Sequence, residues 1–337
     1  MSLTIKEIAK LANTSRGTVD RVLNQRGGVS KETEERVLKI INEHGYRYNE
    51  YARALVNSRK SHKIGIIISS IGSDFYTRVL KGIKEACSSP KHRQIEPIII
   101  ETRINNYQDQ IEAIEKLENQ VEGIIITSSG HPKVKELLEK LIIPVVTCTN
   151  DIDLESLAFV GCNYYNNGHL CGDLASIILD EGKILIVTSD NIKGYEQRVK
   201  GFMEQIPRYK YDVKQLSVTE AYDETYSTIK NYLFDHQVDL IFFSVSSGIG
   251  AGLDAISDLN YQTKILTVDE DPMVIDHLKK GKIAATVTQQ PEKQGRYTII
   301  AMNNYFLLKQ QPVNNKIIIG NKIKLRHSNF DEVFWDK

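Results

Sequence analysis

Cysteine is scarce and ungrouped in this chain. Four are present in 337 residues, Cys87, Cys148, Cys162 and Cys171, and no two form a CxxC pair. That pattern excludes a disulfide scaffold and suits free thiols in a reducing compartment. Paired histidines are missing as well: His131, His169 and His277 stand far apart, so no metal site is expected. No GxSxG elbow occurs. GIGAG at 248–252 lacks the third glycine of a dinucleotide loop, and no suitable βαβ unit opens the chain. Neither catalytic residues nor a cofactor are therefore expected. The longest apolar runs, such as Ile64 to Ile68, are of strand length, far below a membrane span. Met1 leads straight into a helix pattern without a charged-then-apolar leader, so a cytoplasmic location with no membrane partner is expected. No short internal repeat or low-complexity segment is present.

Net charge is also absent: 43 Lys/Arg balance 43 Asp/Glu. The balance hides an asymmetry. Residues 1–60 hold twelve Lys/Arg against seven acids, and the other 277 residues carry the compensating deficit of five. A basic head on an acidic body suits a DNA-binding protein. Within that head, TIKEIAKLANTSRGTVDRVLN reads as two short helices and a tight turn. Thr4 with Glu7 makes a capping box. Ile5, Ile8, Ala9, Leu11 and Ala12 form an apolar face at helical spacing. Ser15 is placed to cap the second helix, whose Val19, Val22 and Leu23 turn inward while Arg16, Gly17, Asp20 and Arg21 turn outward. A third helix starts at Ser30 and ends on Gly45. A short polar stretch follows, over which Asn49 can cap a few helical turns that are marginal alone.

From Lys63 the texture changes to apolar runs such as KIGIIISS, each followed by a helical pattern, through to about Leu325. Strand–helix alternation of this kind builds parallel sheets covered by helices on both faces. The strands outnumber what one sheet comfortably holds, so two doubly wound subdomains are expected.

Three blocks together resemble the lac repressor family of bacterial transcription regulators. They are TIKEIAKLANTSRGTVDRVLNQRGGVSKETEERV, the linker-like GYRYNEYARAL, and a body carrying SDFYTRVLKGIKEA, IPVVTCTND, QRVKGF, TVDEDP and ATVTQQPEKQG in that order. The resemblance implies a small all-α helix-turn-helix domain at 1–47 and a hinge helix at 48–61. It implies an effector-binding α/β body of periplasmic-binding-protein type at 62–337, with an N-subdomain of about 62–161 plus 290–322 and a C-subdomain of about 162–289 plus 323–337. A homodimer would place two recognition helices in successive major grooves of double-stranded operator DNA. Thr4, Ser15, Arg16, Gly17, Thr18, Arg21 and Asn24 are the residues implied at the DNA from the head, with Arg53 and Leu55 from the hinge. Leu55 matches the family's minor-groove wedge, which kinks the duplex. Gly17 supplies no base-reading side chain where the family usually has one, which leaves direct readout mainly to Arg16 and Arg21. Asp20 replaces a small hydroxyl residue and Tyr48 a frequent proline.

For the body the resemblance implies a small sugar or sugar derivative between the subdomains, at the carboxyl ends of strands. Phe75 and Tyr76, with Tyr222 opposite, match the aromatic walls; Arg198, Asp269 and Gln289 match the polar clamp, and Asn150 follows the strand at Pro144–Thr147. Thr149 and Asn150 replace a frequent Asp-Arg pair, and Val245 and Ser246 an Asn-Asp pair, so the sugar's identity stays open, phosphorylated sugars, polyols and nucleosides included. A bland reading accompanies each residue: Phe75 and Tyr76 as packing for the first helix of the body, Arg198 as half of an ion pair, Asp269 as cap of the helix from Pro272. The alternative function is a carbohydrate-binding or sugar-processing protein in which DNA binding is secondary.

Overall fold

In the computed structural model the chain divides into two compact units, Met1–Arg59 and Lys60–Lys337. Residues 4–23, 27–44, 60–104, 106–190, 193–207, 209–219, 221–246 and 248–328 are described. Asn24, Arg53, Leu55, the Gly45 cap and nearly all of the expected hinge lie outside the described residues.

The first unit holds α1 (Ile5–Leu11), α2 (Arg16–Leu23) and α3 (Lys31–Glu43). The capping box forms: Glu7 N–H donates to Thr4 Oγ1 at 3.3 Å, and Thr4 N–H donates to Glu7 Oε2 at 2.7 Å. Asn13 turns the chain at φ +47°, a left-handed conformation that Asn tolerates. Ser15 Oγ accepts the Thr18 N–H at 3.0 Å, and Ser30 Oγ that of Thr33 at 3.3 Å. Ile8, Ala12, Val19 and Val37 are completely buried, and Arg36 Nε ties α3 to the Ala12 carbonyl at 2.9 Å. Leu11 departs from its expected place: it is 52% exposed. The partner helices cover the Ile8–Ala9–Ala12 stripe, and Leu11 lies off that stripe.

The second unit alternates strand and helix. β1 (His62–Ile71), α4 (Asp74–Ser88), β2 (Ile95–Arg103), α5 (Tyr107–Leu117), β3 (Gly123–Ile126), α6 (Pro132–Lys140), β4 (Val145–Cys148) and β5 (Ala158–Cys162) come first. Next are α7 (Tyr164–Ile178), β6 (Gly182–Thr188), α8 (Lys193–Gln205), β7 (Tyr211–Ser217), α9 (Tyr222–Asp235), β8 (Leu240–Phe243), α10 (Ile249–Asp258), β9 (Lys264–Val268), α11 (Pro272–Lys279) and β10 (Ala285–Thr288). Helix α12 (Pro291–Leu308) and strands β11 (Lys316–Ile319) and β12 (Lys322–Lys324) close it. The strands form two sheets, β11-β5-β4-β3-β1-β2 and β12-β10-β9-β8-β6-β7. All pairings are parallel except β12 against β10. The chain passes between sheets at 162–164, 288–291 and 319–322. Each sheet thus defines a lobe with its own apolar cores: Ile64, Ile66, Val146 and Met302 in one, Leu185, Ile241, Phe243 and Ile265 in the other.

Both lobes use glycine to bring a helix pair into backbone contact. A Cβ on Gly82 of α4 would lie 1.9 Å from the Glu292 carbonyl oxygen, and one on Gly295 of α12 would lie 2.0 Å from that of Val79. In the other lobe, a Cβ on Gly168 of α7 would lie 2.0 Å from Arg198 O, and one on Gly201 of α8 2.2 Å from Tyr165 O. These contacts fix α4 and α8, and with them the side chains of Tyr76 and Arg198. Among the described residues no helix is long and apolar enough to cross a membrane.

Candidate functional site

In each sheet the strand order reverses around the strand next to one edge, β1 between β3 and β2, β6 between β8 and β7. Open parallel sheets bind ligands outside the carboxyl ends of their strands at such switch points. Tyr76 follows β1, Asn150 follows β4, Arg198 lies on the helix after β6, Asp269 follows β9 and Gln289 follows β10. The backbone is strained at the same strand ends: Thr149, Asp269 and Gln290 have φ of +68°, +63° and +54°. A left-handed β-branched residue such as Thr149 persists only where its surroundings hold it, here through its N–H on the Val160 carbonyl at 2.8 Å.

Arg198 is the centre of the group. Its side chain is only 1% exposed, its Nη1 donates to the Ser244 carbonyl, and its Nε and Nη2 have no partner among the described residues. Unpaired N–H groups on a buried cation are costly. Its Cζ lies 5.0 Å from the Tyr164 ring and 5.8 Å from the Tyr195 ring. Asp269 is buried and accepts from Gln289 Nε2 at 2.8 Å, while Gln289 Oε1 accepts from Cys162 Sγ at 3.0 Å. Burial pushes the Asp269 carboxyl up, against the pull of Arg198. Asn150 Nδ2 donates to the Ser128 carbonyl at 3.0 Å and to Tyr76 Oη at 3.4 Å. Burial raises the Tyr76 phenol too, which keeps it a neutral donor. This set offers cationic, amide and hydroxyl donors beside a carboxylate acceptor, with tyrosine faces for apolar surface.

The lobes are clasped beside the group. Arg78 of α4 places Nε 2.6 Å from Glu292 Oε1, Nη2 2.5 Å from Glu270 Oε1 and Nη1 3.1 Å from the Glu270 carbonyl. Asp271, next along, is pushed up to about 6, by burial first and then by the charge of Asp269. Across the lip, Lys193 of α8 pairs with Asp153 at 2.6 Å.

The structure therefore brings together Tyr76, Asn150, Arg198, Asp269 and Gln289. Phe75 stands edge-on to Tyr76 and packs on the lobe core. Tyr222 is placed apart: it is 50% exposed, stacks on Tyr226 and donates its hydroxyl to Asp254. The helix that carries it follows the edge strand β7. Asp269 does not cap the helix from Pro272; Asp271 holds that position, without a side-chain bond. Tyr164, Tyr195 and Arg78 were not singled out by sequence reasoning. Arg78 and its partners are 192 and 214 residues apart, a distance over which no spacing rule operates. Among the described residues no three or more His, Cys, Asp or Glu gather as a metal site.

On the first unit, Ser15, Arg16, Gly17 and Arg21 are exposed and Thr18 is half-buried on α2. Thr4 is spent in its capping box, its hydroxyl donating to Glu7 Oε2 at 2.8 Å. That leaves a helix that presents one guanidinium at its start, Arg16, and one in its last turn, Arg21, with the small residues Gly17 and Thr18 between them.

Residues 64–310 match the family described as the periplasmic binding protein domain, and residues 4–49 match the bacterial regulatory proteins of the lacI family. The ribose operon repressor of Halalkalibacterium halodurans is 27% identical over 318 residues, 91% of this chain and 90% of its own. Catabolite control protein A of Priestia megaterium is 28% identical over 68% of each chain. Among solved structures, a glucose-galactose binding protein from Geobacillus stearothermophilus superposes with a TM-score of 0.70 at 21% identity, covering 79% of this chain and 98% of its own. The chain therefore belongs to the periplasmic binding protein domain family through residues 64–310, and residues 4–49 give it a DNA-binding domain of the lacI family of bacterial regulatory proteins.

Proposed function

We propose that this chain is a transcriptional repressor whose grip on operator DNA is set by a small sugar-like effector held between the lobes of its body. The observation that carries the sensor half is Arg198, a buried guanidinium with two unpartnered N–H groups beside Asp269 and Gln289. Sugar hydroxyls donate to a carboxylate and accept from a guanidinium, so each polar group in the cluster gains a partner when a sugar binds. Relatives named ribose operon repressor and sucrose operon repressor support the same ligand class. Arg16 and Arg21 read guanine edges in the major groove, Leu55 enters the minor groove with Arg53 beside it, and two copies act as a homodimer in the cytoplasm. The effector acts by binding, and the reading assigns the chain no reaction.

The test is a thermal-shift screen of sugars, polyols and nucleosides on the full-length chain, paired with fluorescence anisotropy on operator DNA. At least one sugar is expected to raise the unfolding temperature and to alter operator affinity. No shift from any compound, with operator binding unchanged throughout, would defeat the sensor reading.

A further inference from the structure

We propose that the effector site has an outer subsite, and that the preferred effector is a disaccharide or other neutral glycoside rather than a lone sugar ring. The inference rests on the sugar-sensor reading above and extends it. A cavity of about 700 Å³ opens between the lobes next to the Arg198 cluster. That is several times the volume of one sugar ring, and lies in the range of about 300–1,000 Å³ usual for ligand pockets. Its lining includes Asn150, Cys162 and Tyr164. These are residues of the inner group: Asn150 donates to Tyr76, Cys162 to Gln289, and Tyr164 lies under Arg198. The outer cavity and the inner group therefore share Asn150, Cys162 and Tyr164.

The chemistry of the outer cavity selects what enters it. Phe159 and Tyr164 supply ring faces, and Asn163 and Gln197 supply amides. Tyr164 is held in place by the first turn of α8, where a Cβ on Gly194 would sit 3.1 Å from its ring. Each cation of the lining has a carboxylate: Lys193 has Asp153 at 2.6 Å, Lys316 has Asp151 at 2.7 Å, and Lys200, more loosely, has Glu204 at 3.9 Å. A phosphate placed there would have to displace a carboxylate from its lysine and then face it. A neutral group with an apolar face and hydroxyl edges meets no such opposition. The Lys193–Asp153 pair joins the two lobes across the lip, and both side chains are more than half exposed. An exposed pair of this kind contributes little to stability, so it yields readily to an entering ring.

The experiment is isothermal titration calorimetry on the full-length chain with matched ligands: glucose against maltose, trehalose and sucrose, and galactose against lactose and melibiose. At least one glycoside is expected to bind ten times more tightly than its parent ring. Ile318→Trp fills the outer cavity from β11, at a position already 51% exposed; it is expected to erase that advantage and leave the parent ring's affinity unchanged. Equal affinity for rings and glycosides would overturn the outer subsite while leaving the sensor intact. So would loss of both ligand sizes in the Ile318→Trp variant. Heat from no ligand of either size would remove the sugar reading itself, and this subsite with it.

Discussion

Asp271 shows how one side chain at the cleft ties stability to pH. Burial and the neighbouring Asp269 charge raise its carboxyl from 3.8 to about 6, with Asp74 adding repulsion and Arg78 opposing it. A group with a raised folded pKa holds its proton better in the folded chain. Its contribution is complete below about 4 and is lost as pH rises through about 6. Asp271→Asn keeps the shape and cannot ionise. The variant is expected to melt a few degrees above the parent at pH 7 and level with it at pH 4, a difference on the order of 1–3 kcal/mol at neutral pH. Melting curves of both chains at half-unit pH steps check this, and parallel profiles would show that Asp271 is already solvated.

At the scale of elements, the glycine contacts between paired helices hold the site in register. Gly201→Ala sets two effects against each other. Alanine favours a helix by about 1 kcal/mol over glycine, but its Cβ would lie 2.2 Å from the Tyr165 carbonyl, a backbone atom that no rotamer change can move. Overpacking of this sort costs about 1–3 kcal/mol, and relief requires α8 to shift and take Arg198 with it. A lower melting temperature and weaker effector binding are expected together. Gly250→Ala is the control: its Cβ meets only Met273 at 3.4 Å, and neither quantity should fall. These contacts were not legible in the sequence, because a glycine in QRVKGF or EKQG does not say which helix lies against it. The strands were legible, since His62–Ile71 and Gly123–Ile126 are buried on both faces and read as unbroken apolar runs. Helix starts were less so. Helix α7 starts at Tyr164 because Asn163 caps it, accepting the Asn166 N–H at 2.9 Å, a cap that apolar spacing alone does not reveal. Arg198, Asp269 and Gln289 could be named from motif order, whereas Tyr164 and the Arg78 clasp depend on how the lobes meet.

At the scale of the whole molecule, the question is how a sugar in the body changes the hold on DNA. Linkage fixes the form of the answer: if the sugar alters operator affinity by some factor, the operator alters sugar affinity by the same factor. Typical couplings are about 5–150-fold, well within what anisotropy and calorimetry resolve. Arg198→Met separates the two functions. The side chain is buried in the body and holds the Ser244 carbonyl, so its loss removes the effector's charged partner without touching α2. Without sugar, the variant is expected to bind operator as the parent does. With sugar at a concentration saturating for the parent, the parent's affinity is expected to change and the variant's to stay fixed. The reciprocal measurement, sugar binding to the parent with and without operator, must return the same factor. A variant that still responds would place the effector elsewhere than the Arg198 cluster. One that no longer binds operator in the absence of sugar would show that Arg198 maintains the DNA-binding state itself, and that the two functions share this side chain.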